Sequence, residues 1–136
     1  ITVAALVAVN ALGDVIDEDG RVIAGARSED GRSFVKSTEA LLAGEGPPRL
    51  MAGMATTIGV VATDAALGKT DANRLASLAH HGLSRAVNPL TMHDGDTLFA
   101  LATGGSGLPG ELSTLGVMAA EVVARAIRNA VEATGG

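Results

Sequence analysis

Apolar residues run almost unbroken through the opening of the chain, from Ile1 to Val9, with Thr2 the one polar exception. Both alternating sets of positions are apolar, which predicts a strand covered on both faces. Asn10-Ala11-Leu12-Gly13-Asp14 then reads as a turn, and Val15-Ile16 resumes strand character. Asp17-Glu18-Asp19-Gly20 forms a second turn ending in the Asp-Gly signal of hairpins, and Arg21 to Ala26 returns as a short strand. Polar residues dominate from Arg27 to Leu50. This stretch reads as a long surface connection with one or two helical turns over Thr38–Ala43, kept extended near its end by Pro47 and Pro48. Thr57 to Ala65 is the second strong strand. Leu75, Leu78, Ala79, Gly82, Leu83 and Ala86 then recur at the helical period. They predict one helix from Thr70 to Ala86, capped by Thr70 and ended by Asn88-Pro89. A third strand covers Thr97–Thr103, and Gly104 to Gly110 reads as a flexible loop. The last helix is expected over Glu111–Ala133. Its stripe is Leu112, Leu115, Ala119, Val122, Ala126 and Ala130, widened by Met118, Val123 and Ile127. Glu121 with Arg125, and Arg128 with Glu132, are spaced as i,i+4 pairs on its wet side.

The chain has 136 residues, enough for one domain or less. It is 47% hydrophobic, yet has two Phe, no Tyr and no Trp, so its core is built from thin aliphatic layers. Strands followed by long helices predict a layered α/β arrangement, with two sheets face to face and helices outside. Periodicity alone does not separate this from a doubly wound α/β domain. A chain that opens directly on a core strand reads as a fragment or a processed piece.

Net charge is −5 and the ten basic residues are scattered, which argues against nucleic-acid binding. The opening apolar run lacks a basic leader and is too short to span a bilayer. There is no cysteine, hence no disulfide and no thiolate metal site, and a cytoplasmic location is the expectation. His80 and His81 are adjacent on a helix and cannot chelate like an i,i+4 pair. The Asp17–Asp19 cluster does not have EF-hand spacing, and Gly104-Gly105-Ser106-Gly107 lacks the Gly-Lys-Ser ending of a phosphate loop. Neither a metal nor a cofactor is expected.

The candidate chemistry begins at Thr56-Thr57, at the head of the second strand. A hydroxyl is a weak nucleophile unless a base sits beside it. An economical base is the residue's own α-amine, with a pKa of about 7.7–8.0, if the chain is cut just before it. Strand alternation puts Thr56 and Thr57 on opposite faces, so only one can serve a site. A Thr pair is also what an ordinary edge strand carries. Asp94 and Asp96 follow Thr56 by 38 and 40 residues and flank Gly95. Alternation points both carboxylates the same way, and their proximity would raise one pKa; the plainer reading is a solvated turn. Asn10 ends the first strand, where its amide can donate to an oxyanion or fold back on its own turn.

Three strings, Leu6 to Val15, Thr56 to Ala65 and Asp94 to Gly104, occur in this order. Together they closely resemble the self-processing P1 peptidase family of D-aminopeptidases/esterases, β-aminopeptidases and nylon-oligomer hydrolases, over about Val3 to Ala133. The resemblance implies a four-layer αββα sandwich, shared with the ornithine acetyltransferases, of which this chain is the C-terminal portion of a longer precursor. It implies that residues 1–55 end an α-subunit-like segment and that 56–136 form a β-subunit-like segment. Thr56 then becomes nucleophile and new N-terminus, Asp94 and Asp96 orient it, and Asn10 serves the oxyanion. Ala55 departs from the Asn or Gly common in the family before the nucleophile, and resembles the Ala-Thr of the ornithine acetyltransferases. It is also where a change that slows processing would fall. The implied partners are a small peptide or amide substrate, the missing N-terminal segment with a further lysine and much of the pocket, and further copies in a tetramer or larger. An acyltransferase on the same fold and a catalytically silent assembly protein are the alternative functions.

Overall fold

The computed structural model describes residues 1–45 and 55–135. Its elements are β1 (Val3–Ala8), β2 (Asp14–Ile16), β3 (Val22–Ala24), α1 (Ser37–Leu42), β4 (Ile58–Thr63), α2 (Lys69–Ala79), α3 (His81–Ala86), β5 (Val87–Asn88), β6 (Thr97–Ala102) and α4 (Leu112–Thr134). The expected extended stretch at Pro47 and Pro48 lies outside the described residues.

The main sheet has the order β1-β4-β6, and a smaller sheet has the order β3-β2-β5. β1 runs antiparallel to β4, with Ala8 opposite Ile58, while β6 runs parallel to β4, with Ile58 opposite Thr97. The long crossover that parallel pairing requires is supplied by α2 and α3. α4 packs across β1, α2 and α3. Val61, Leu75, Leu83, Val87, Leu115, Val123 and Ile127 are the largest aliphatic members of the fully buried core.

The expectation that the first strand is covered on both faces is corrected. β1 alternates between half-buried and exposed residues, because the helices cover one face of the sheet only. On the other face Leu6 is 75%, Ile58 50%, Phe99 64% and Leu101 56% exposed. Uniform apolarity records that both faces can be covered; among the described residues only one is.

The single helix expected over Thr70–Ala86 is two. Gly68 rather than Thr70 caps α2, and His80 both ends α2 and caps α3. The chain re-enters a helix at once, so Gly82, Leu83 and Ala86 still reach the core. Val87 and Asn88 then pair with Val15 and Asp14, a short strand that the pattern did not predict. Gly82 lets α3 meet α4 closely: a Cβ there would lie 2.4 Å from the Ala120 carbonyl oxygen and 2.7 Å from Val123 Cβ. Both obstacles are close to the backbone of a packed helix. Gly82→Ala is therefore expected to destabilise the fold by about 1–3 kcal/mol, seen as a lower denaturant midpoint at unchanged slope.

The Glu111 carboxylate caps α4 by accepting from the backbone N–H groups of Ser113 and Thr114. The Thr114 hydroxyl and those N–H groups hold its pKa down to about 2. The buried stripe of α4 runs through Leu115, Ala119, Val123, Ile127 and Val131, with Gly116, Ala120 and Ala124 beside it. Leu112, Val122, Ala126 and Ala130, expected at its centre, are only half-buried. The Glu121–Arg125 pair forms at 2.8 Å. Arg128 does not join Glu132; it donates to the carbonyls of Ile16 and Arg85, 3.0 and 2.9 Å away, and approaches Glu18. Its guanidinium thus ties α4 to β2 and α3, which a helical i,i+4 rule cannot foresee. The expected flexible loop is fastened as well: Ser106 donates its N–H and its hydroxyl to the Asp64 carbonyl.

Candidate active site

Sheet register assembles the site. The pairing of β4 with β6 keeps one offset from Ile58 opposite Thr97 back to the bridge between Ala55 and Asp94. Thr56 therefore lies opposite Gly95, and Thr57 opposite Asp96. On the other side the β1 register runs on beyond Ala8 and Ile58, and the Thr56 N–H donates to the Asn10 carbonyl at 2.8 Å. Asn10, Thr56 and Gly95 thus form a row across three adjacent segments of the chain.

Alternation then separates the two threonines. Thr57 is 1% exposed and faces the helices with Val61 and Thr63, whereas Thr56 is half-buried and lies on the side of exposed Ile58. The Thr57 hydroxyl accepts from the Asn10 N–H at 3.3 Å, and the Thr57 N–H donates to Asp96 Oδ1 at 2.7 Å. Thr57 joins the two flanks of the site from behind and is closed to substrate. The Thr56 hydroxyl donates to the Ala55 carbonyl oxygen at 2.8 Å, and that same oxygen accepts the Gly95 N–H at 2.8 Å. A Cβ added at Gly95 would lie 2.9 Å from Thr56 Oγ1.

The two carboxylates have different surroundings. Asp94 Oδ1 accepts from the Leu12 N–H at 3.2 Å, while Oδ2 accepts from the N–H and hydroxyl of Thr91 at 2.9 and 2.8 Å. Asp94 clasps the chain after Asn10 to the loop before Gly95. Asp96 is partly buried. Burial raises its pKa; the Thr57 N–H opposes this, Asp94 adds to the rise and His80 opposes it. Proximity of the two carboxylates, expected as the cause, is secondary to burial.

Sequence reasoning named Asn10, Thr56, Asp94 and Asp96, and their backbones meet at the heads of β4 and β6; the Asp96 carboxylate lies behind with Thr57, on the side opposite the Thr56 hydroxyl. It missed Gly95, Thr91 and the joining role of Thr57. The signal for Gly95 was the strand offset, which would have placed a residue without a side chain opposite the candidate nucleophile.

The family model described as Peptidase family S58 matches residues 1–135. An uncharacterized aminopeptidase of Mycobacterium tuberculosis is 45% identical, the match covering 53% of this chain and 25% of that protein. An uncharacterized aminopeptidase of Mycobacterium leprae is 40% identical, covering 76% of this chain and 29% of that protein. The chain spans less than a third of the length of these relatives. It belongs to peptidase family S58, which agrees with the αββα sandwich expected from the sequence. Among the described residues, no helix is long and apolar enough to cross a membrane.

Proposed function

We propose that this member of peptidase family S58 cuts its own chain between Ala55 and Thr56 and then hydrolyses amide or N-terminal peptide bonds through an acyl-Thr56 intermediate. The observation that carries the reading is the contact of the Thr56 hydroxyl with the Ala55 carbonyl, 2.8 Å oxygen to oxygen. In the first step Thr56 Oγ1 bonds to the Ala55 carbonyl carbon, and the Ala55–Thr56 C–N bond breaks. The hydroxyl proton ends on the Thr56 nitrogen. Water then adds to the resulting ester, releasing the Ala55 carboxylate and restoring the hydroxyl. The freed amine lies beside the Asn10 carbonyl and, when neutral, takes the hydroxyl proton in later turnovers.

In this reading Asp96 acts on Thr56 from behind, through the neighbouring Thr57 N–H that it accepts, and must be ionised to do so. Its raised pKa moves the loss of activity on the acid side to a higher pH than an ordinary aspartate would set. Asp96→Asn is expected to lower turnover more than tenfold, which is about 1.4 kcal/mol or more in barrier, and to erase that acid limb. Unchanged kcat with an unchanged pH profile would leave Asp96 a structural acceptor for Thr57. Residues 1–55 and 56–136 would become the end of one subunit and the start of the other. The substrate, the remaining precursor segment and further copies of the chain complete the proposed assembly in the cytoplasm. Intact-mass measurement of the purified protein tests the central claim, because a cut chain yields a fragment that begins with Thr56.

A further inference from the structure

We infer that Gly95 is a catalytic group of the self-cleavage step, through the donor it supplies and the side chain it lacks; the inference rests on the self-processing reading above. The parallel ladder between β4 and β6 does not stop at the ends of those strands. It continues through the Thr97 N–H on the Thr57 carbonyl, at 3.0 Å, to the Gly95 N–H on the Ala55 carbonyl, at 2.8 Å. The last rung of the sheet therefore falls on the bond to be cut. When Thr56 Oγ1 bonds to the Ala55 carbon, the carbonyl π pair moves onto the Ala55 oxygen, and the Gly95 N–H already points at it. Such a donor costs no reorganisation as charge develops, and it binds the oxyanion more strongly than the neutral carbonyl. As the C–N bond breaks, that pair re-forms the carbonyl of the ester and the hydroxyl proton passes to the Thr56 nitrogen. Once the Ala55 end leaves, the same N–H is open to the carbonyl of a substrate.

The missing side chain matters separately. A Cβ on Gly95 would stand 2.9 Å from Thr56 Oγ1 and 3.8 Å from the Ala55 oxygen. A methyl group there would turn the hydroxyl away from the carbonyl it attacks. The backbone of Gly95 is fixed from both sides, because Asp94 is clasped by Leu12 and Thr91 and Asp96 is held by Thr57. Donor and gap are thus set in place before reaction.

Two changes separate these contributions, both made in the full-length protein. Replacing the Asp94–Gly95 peptide bond by an ester through semisynthesis removes the N–H and no side chain. Gly95→Ala keeps the N–H and adds the methyl. Each is expected to slow appearance of the Thr56-initiated fragment at least tenfold, followed by intact mass against time, with the cooperative thermal transition retained. Cleavage of the folded ester protein at the wild-type rate would remove Gly95 from the chemistry. If the ester protein does not fold, Gly95→Ala decides: wild-type cleavage overturns the inference, and slow cleavage that Gly95→Ser slows at least as much supports it. An uncut wild type, or Thr56→Ala cut at the same bond, would overturn the self-processing reading instead. The two failures are therefore distinguishable.

Discussion

Thr56→Ala is expected to leave the Ala55–Thr56 bond intact and to abolish amide hydrolysis, the largest effect of any single change in this chain. In the proposed mechanism both steps use the same oxygen, so one substitution would remove both nucleophilic events. The surrounding structure loses little: the Thr56 N–H still reaches Asn10, and the Ala55 carbonyl keeps its Gly95 donor. The mutant should therefore fold and give one uncut mass. Thr57→Ala provides the contrast. Its hydroxyl is buried and accepts the Asn10 N–H, so its loss should destabilise and slow processing without preventing it. Cleavage of Thr56→Ala at the original bond would exclude Thr56 as the agent.

Asn10→Ala is expected to lower kcat by roughly 100-fold with little change in KM, equivalent to about 2.7 kcal/mol of barrier. Asn10 stands directly across from Thr56 on the same side of the sheet. Its backbone is fixed by the Thr56 N–H on its carbonyl and by its own N–H on Thr57. A side-chain amide on so firmly held a backbone has little reorganisation left to do as negative charge grows on a substrate oxygen. Asn10→Asp should be worse, because a carboxylate repels that charge. The mutations leave the backbone bonds in place, which isolates the side chain's contribution. Loss of folding without a specific defect in kcat would reassign Asn10 to a structural turn.

The extent of this site that was legible in the sequence follows from what kind of interaction makes it. Asn10, Thr56, Asp94 and Asp96 could be listed because each carries polar chemistry at the end of a visible apolar run, but their choice over a plain strand edge and plain turns rests on the family resemblance. Their relative positions depend on strand register, which is set between segments far apart in sequence. Gly95 therefore went unnoticed: its contribution is a backbone N–H and an empty space, and both exist only once β6 is aligned with β4. The same limit explains Arg128. Its i,i+4 partner was a local inference, whereas its carbonyl acceptors on Ile16 and Arg85 belong to other elements. The break at His80 was hidden because α3 resumes the helical period after it, leaving the apolar spacing of Leu75 to Ala86 nearly undisturbed. Amphipathic helices and aliphatic strands were readable because their signals lie within one segment.

The uncovered side of the main sheet has a bearing on selectivity. Leu6, Ile58, Phe99 and Leu101 share that side with the row formed by Asn10, Thr56 and Gly95. Full burial of each such side chain would stabilise by about 1.5–3 kcal/mol, so a four-layer sandwich would gain by laying a further layer over them. A layer placed there would also extend over the Thr56 hydroxyl and roof the proposed site. On the proposed reading this chain would be the floor, where the bond is held and attacked. The height, width and charge of an accepted substrate would then depend on that roof as well as on the floor.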